Sequence, residues 1–231
     1  MGGRLKFIGE GIYTIPEASR LVGVHNQSIY RWLFGGSLSN YQRANTHSQP
    51  VIQHKYDILA NVANLSFADL IQIRFIHYFR SCNISLQTIR TAAKNAACLL
   101  ESPHPFCSAR FKTDGQSILA EIEAMDGCCT LLDLKQMQQV FKEVISPFLR
   151  ELEYKEDFVA KWWHDQGKGK VVIDPQINFG QPTLAEEGVP TQPVFQAFRA
   201  CGDSFQKAAS WFEIPESSVQ IAVAFEESLA A

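Results

Sequence analysis

An α+β fold, mainly α-helical, is predicted for this 231-residue chain by three features. Two capping boxes open amphipathic helical repeats, short alternating runs flank turn residues, and a second group of helical repeats occupies the C-terminal quarter. The chain divides by composition into three expected parts, residues 1–100, 101–170 and 171–231. With 46% hydrophobic and 19% charged residues it has the makeup of a globular protein with a sizeable core.

The N-terminal part predicts a helix-turn-helix. Thr14 can cap a helix with Glu17 reaching back to it, and Pro16 sits in the first turn where its missing amide costs nothing. Ala18 and Leu21 share the inner face, Gly23 ends the helix, and Val24 turns the chain into a second helix with Ile29, Trp32 and Leu33 inward. Its remaining positions, His25, Asn26, Gln27, Ser28, Tyr30 and Arg31, present amides, hydroxyls and a guanidinium. Such groups match base edges in a major groove. The same pattern is also that of a helical hairpin with a solvated polar face.

Beyond Gly35-Gly36, the alternation in Pro50–Tyr56 suggests a hairpin wing, which would make the unit a winged helix-turn-helix. Arg43, His54 and Lys55 could meet phosphate there, or be solvated loop groups; Thr14 completes the candidate DNA-contact set. Ser66 with Asp69 forms a second capping box before Leu70, Ile73, Ile76 and Phe79, and Ser85 opens a further helix carrying Ile89, Ala92, Ala96 and Leu99. In the middle part, Asp114-Gly115 between alternating runs predicts a small β-hairpin, and Cys129–Asp133 a further strand. Phe141, Val144 and Ile145 trace a helix that Pro147 should end or kink.

The charge is unevenly spread behind a net value of −3. Residues 1–100 hold 10 Lys/Arg against 4 Asp/Glu, residues 101–170 hold 9 against 12, and residues 171–231 hold 2 against 8. A cationic front and an anionic tail suit partners of opposite electrostatic character. In the tail, Phe205, Ala208, Ala209 and Phe212, then Val219, Ala222, Val223 and Phe225, predict two helices within a trihelical, helix-turn-helix-like domain. Ala209-Ser210, Ile214 and Ser218-Val219 echo Ala18-Ser19, Val24 and Ser28-Ile29, with one residue fewer in the first interval. Glu213, Glu216, Glu226 and Glu227 are expected on its surface, where phosphate would be repelled.

Taken in order, Tyr13–Ser19, Ile29–Trp32, Leu65–Phe75 and Ile84–Arg90 resemble the MerR-type winged helix-turn-helix, and Pro105-Phe106 and Phe111–Gly115 next, with a second signature closing the chain, resemble the variant found in bacterial antitoxins. Val172–Pro175, Gly180-Gln-Pro182 and Gly188-Val-Pro190 are similar to the domain-of-unknown-function 433 family. The resemblance implies repression of an operon through operator DNA and neutralisation of a PIN-like ribonuclease toxin, with a homodimer placing two recognition helices in successive grooves. A MerR-like regulator with a small-molecule-sensing or purely dimerising C-terminal domain, and an adaptor that binds no DNA, are the rival readings.

Enzyme chemistry is not expected: no phosphate-binding loop, nucleophile elbow or zinc-protease pair occurs. No cofactor is expected, and His104-x-x-Cys107 lacks the second ligand pair a metal site needs. Without a long apolar run or an apolar leader after Met1, a cytoplasmic protein with no membrane contact is expected.

Overall fold

The structure, a computed structural model, describes residues 9–35, 49–54, 56, 63–113, 115, 119, 138–164 and 168–230. They are mostly helical, with small sheets, and group into two bodies. The first spans residues 13–150 with 154–159; the second comprises residues 1–12, 151–153 and 160–231. No described helix is long and apolar enough to cross a membrane.

In the first body, strand β1 (Tyr13–Thr14) runs into helix α1 (Ile15–Val22), which is followed by α2 (Asn26–Phe34). The capping box is formed as expected: Thr14 Oγ1 accepts from the Glu17 amide at 3.3 Å, and the Glu17 carboxylate accepts from the Thr14 amide at 2.7 Å. Strand β2 (Asn64–Leu65) pairs antiparallel with β1, Tyr13 opposite Leu65. Helices α3 (Phe67–Ser81) and α4 (Leu86–Leu99) follow, capped by Ser66 with Asp69 and by Ser85. Ile15, Ala18, Leu21, Ile29 and Leu33 are buried, as are Leu70, Ile73, Ile76, Phe79, Ile89, Ala92 and Ala96.

Two expectations for this body are corrected. No strand forms at Pro50–His54 or Tyr56; Val51 and Ile52 are instead buried, and the Val51 amide donates to the Trp32 carbonyl at 2.7 Å. Burial on consecutive residues replaces the alternation a wing hairpin requires. The Asp114-Gly115 hairpin is likewise replaced by helix: residues 109–113 are helical, as are Gly115 and Leu119. Gly115 serves close approach rather than a turn, since a Cβ there would collide with the Phe141 ring. Asp114, Val144's side chain and the strand expected at Cys129–Asp133 lie outside the described residues.

Helix α5 (residues 138–149) does not end at Pro147. It widens into a π-turn over Phe141–Ile145, with the Ser146 amide donating to the Phe141 carbonyl, and continues through Ser146–Leu149. The wider turn accommodates a ring that would clash with an ordinary helix carbonyl. Phe75 is the hub of the aromatic core, with the rings of Phe106, Phe111 and Phe148 at 5.5, 5.7 and 5.3 Å.

The hairpin of the middle region lies later, as β3 (Leu152–Lys155) and β4 (Phe158–Trp163), turning at Glu156-Asp157. These strands head a four-stranded sheet of order β3-β4-β5-β6 with β5 (Val171–Ile173) and β6 (Thr183–Leu184). In the second body Trp162 is fully buried, stacked on His164 at 4.5 Å, with its indole N–H donating to Glu151 at 3.0 Å. Helices α6 (Thr191–Ala200), α7 (Phe205–Phe212) and α8 (Glu216–Ser228) complete it around Val194, Ala208, Val219, Ala222 and Phe225.

The repeat heard in the sequence is real in geometry but its register differs. Adding 190 to each number carries Ile15–Val22 onto Phe205–Phe212 and the start of α2 at Asn26 onto the start of α8 at Glu216. Gly23 at φ 73° falls on Glu213 at φ 54°, both left-handed caps. The Val24 amide donates to the Ser19 carbonyl at 3.1 Å, and the Ile214 amide to the Ala209 carbonyl at 3.1 Å. No residue is missing: Ala208-Ala209, not Ala209-Ser210, match Ala18-Ser19. One surface expectation also fails, because Glu226 is only 4% exposed and accepts from the Thr191 hydroxyl.

Gly115→Val should lower stability by about 1–3 kcal/mol through overpacking against Phe141, read as a lower urea midpoint; an unchanged midpoint would contradict the close approach. Burial, with Asp69 as the lesser cause, pushes the Cys107 thiol well above its ordinary pKa. Iodoacetamide at pH 8 should therefore modify exposed Cys98 long before Cys107, and peptide mass mapping showing equal rates would refute that burial.

Candidate nucleic-acid interface

The turn between α1 and α2 fixes what α2 shows to solvent. Gly23 takes the left-handed conformation and donates to the Ser19 carbonyl at 2.9 Å, while the Ser19 hydroxyl donates to the Val24 carbonyl at 2.5 Å. With that corner set, Ile29, Trp32 and Leu33 point into the core, and on the opposite side Tyr30 and Arg31 lie three and four residues on from Gln27. His25, Gln27 and Arg31 are exposed; Asn26, Ser28 and Tyr30 are half-buried; none of the six is buried.

Each predicted contact residue has a definite place. His25 is the N-cap of α2, its Nδ1 accepting from the Gln27 amide at 3.3 Å. That contact orients the ring and leaves Nε2 as the nitrogen directed away from the cap. Asn26 opens the helix, and its Oδ1 is buried without a hydrogen-bond partner among the described residues. Tyr30 leans on Phe34 with centroids 5.7 Å apart. The Thr14 hydroxyl is engaged by Glu17 at 2.8 Å as part of the α1 cap. His54 is half-buried with its ring edge-on to Phe34 at 4.6 Å, beside the end of α2. Arg43 and Lys55 lie outside the described residues.

α2 has no acidic residue in its first turn. Its partial positive end therefore remains unneutralised by its own sequence, which favours an approaching phosphate.

One supporting residue escaped sequence reasoning. Arg90 on α4 donates through Nε to the Pro50 carbonyl at 3.0 Å and through Nη2 to the Gln49 carbonyl at 2.7 Å, with Nη1 on Gln87 at 2.7 Å. It ties the strap at residues 49–54 in place, and the strap in turn meets α2 at the Trp32 carbonyl and the Phe34 ring. Nothing in the local spacing signals a contact across 40 residues. His104 and Cys107, which sequence spacing pairs, go to different partners: His104 Nδ1 lies 2.7 Å from Gln72 Nε2, and Cys107 donates to the Ala68 carbonyl.

Arg90→Met should release this strap. Hydrogen exchange at the Val51 amide is expected to accelerate by about tenfold, the loss of one charge-assisted hydrogen bond or more; an unchanged rate would show that Arg90 does not hold the segment.

Comparison with known proteins places this geometry. Residues 11–93 match a family model described as "Putative DNA-binding HTH domain". Over 226 residues, 92% of this chain and 92% of the relative, the sequence is 26% identical to a Mycobacterium tuberculosis (strain ATCC 25618 / H37Rv) protein named "Putative antitoxin VapB45". The X-ray crystal structure of Rv2018 from Mycobacterium tuberculosis shares the fold, with a TM-score of 0.72, 22% identity and coverage of 91% of this chain and 96% of that one. The first body thus carries, in α1 and α2, a helix-turn-helix of the kind found in DNA-binding proteins.

Proposed function

We propose that this chain is a non-enzymatic antitoxin that represses its own operon by binding operator DNA and neutralises a PIN-like ribonuclease toxin by protein contact. The observation that carries the reading is the open polar side of α2, with His25, Gln27 and Arg31 exposed, in a chain that aligns over 92% of its length with the protein named "Putative antitoxin VapB45". MerR-like ancestry for the first body and kinship of the tail with the domain-of-unknown-function 433 family fit this reading, as does a cytoplasmic setting.

In the proposed mechanism the chain works as a homodimer whose two α2 helices enter successive major grooves, about 34–36 Å apart, of a palindromic operator. Gln27, Tyr30 and Arg31 read base edges, an Arg on guanine being the commonest specific pairing, and Asn26 joins them by turning outward its amide, whose Oδ1 is buried in the unbound chain. Ser28, His25 and the Thr14 region lie where backbone phosphates pass, and Arg43, His54 and Lys55 extend the contact. The anionic tail, with 2 Lys/Arg against 8 Asp/Glu in residues 171–231, is kept for a basic protein. At the positions equivalent to Asn26 and Arg31, α8 has Glu216 and Ile221, so the second helix pair copies the frame with an acid added and the guanidinium gone.

Gel shifts on the DNA upstream of the gene test the reading. Arg31→Ala should weaken operator binding by about 1–3 kcal/mol while leaving random-sequence binding nearly unchanged. Equal loss on both DNAs would reduce Arg31 to a phosphate contact, and absence of any shift by the native chain at low salt would overturn DNA binding.

A further inference from the structure

The 190-residue shift that relates the two helix pairs makes one position stand out. Where α1 and α2 bury Ile15, Ala18, Val22, Val24, Ile29 and Leu33, the second pair has Phe205, Ala208, Phe212, Ile214, Val219 and Val223, all buried or half-buried. Leu21, only 2% exposed, is matched by Trp211, which is 67% exposed. A core position of the first pair has become the largest open apolar side chain of the second. The fold does not need that indole for its own core, which closes around α6 and α8 without it.

We infer that Trp211 is the anchor of a docking surface on α7 for a basic protein. Trp is the residue type most enriched among the few side chains that dominate interface energies, because one ring buries a large area at little cost in rotamer freedom. The surroundings select the partner's charge. Lys207 lies one turn before Trp211 on α7, Glu213 and Glu216 follow on the exposed turn, and the 171–231 segment as a whole carries six more acids than bases, 8 against 2. That excess repels nucleic acid and opposes a second copy of the same surface, while favouring a cationic protein such as a nuclease whose own substrate is polyanionic. An apolar side chain of the partner covers the Trp211 ring, and its Lys or Arg residues meet the acidic rim.

This inference rests on the toxin reading above and refines it to one surface. The test titrates the full-length chain with the PIN-like ribonuclease encoded beside its gene, following affinity by calorimetry and operator binding by gel shift. Trp211→Ala should raise the Kd for the nuclease by at least about thirtyfold, with an unchanged circular dichroism spectrum and unchanged operator binding; Trp211→Phe should recover much of the loss. If the native chain binds the nuclease and Trp211→Ala binds it equally well, the surface is wrong and the toxin reading stands. If the native chain does not bind the nuclease, the toxin reading falls and this surface with it. If Trp211→Ala instead dissolves a dimer of the chain, the ring belongs to a self-interface and the inference is overturned.

Discussion

The corner between α1 and α2 is the constraint on which the rest depends. A left-handed residue at Gly23 and the double use of Ser19, its carbonyl accepting and its hydroxyl donating, set the direction in which α2 leaves α1. Rotating α2 by one residue's worth, about 100°, would carry Arg31 toward the core and Leu33 toward solvent. The polar side of α2 is therefore a product of a corner that itself contains no base-reading group. Packing of Ile29, Trp32 and Leu33 then holds the helix from beneath, and the strap fastened by Arg90 closes its far end.

The same corner recurs in the second body with different chemistry. Glu213 adopts the left-handed conformation that Gly23 adopts freely, and the Ala209 carbonyl accepts as the Ser19 carbonyl does. A non-glycine residue in that region carries a steric cost, so retention of the geometry with a glutamate shows that the surrounding helices over-determine the turn. Two copies of one frame, one carrying a polar α2 with Arg31 exposed and the other an anionic α8 beside an α7 with an open tryptophan, give one chain two unlike faces. In the proposed function, charge, more than shape, separates their partners.

Much of the first body was legible from local rules. The capping boxes at Thr14 and Ser66 and the glycine stop at Gly23 each depend on residues within three or four positions, and all form. The polar side of α2 was legible for the same reason. What was not legible depends on distance or on a residue serving a second purpose. Gly115 looked like a turn glycine, but its missing side chain makes room for Phe141 inside a helix. The true hairpin turns at Glu156-Asp157, a pair with no strong turn signal. Glu226 follows the exposed pattern of its neighbours until Thr191, 35 residues away, supplies the hydrogen bond that permits burial. The strap at residues 49–54 alternates like a wing yet is claimed by Trp32 and Arg90.

The central claim, that α2 of the first body and not its counterpart α8 meets DNA, is tested most directly by following backbone amide resonances while duplex operator DNA is titrated into the full chain. The account requires the largest changes at His25–Arg31, with Glu216–Ile221 nearly still. Changes concentrated at Glu216–Ile221, or none at His25–Arg31 under conditions where the complex forms, would contradict it.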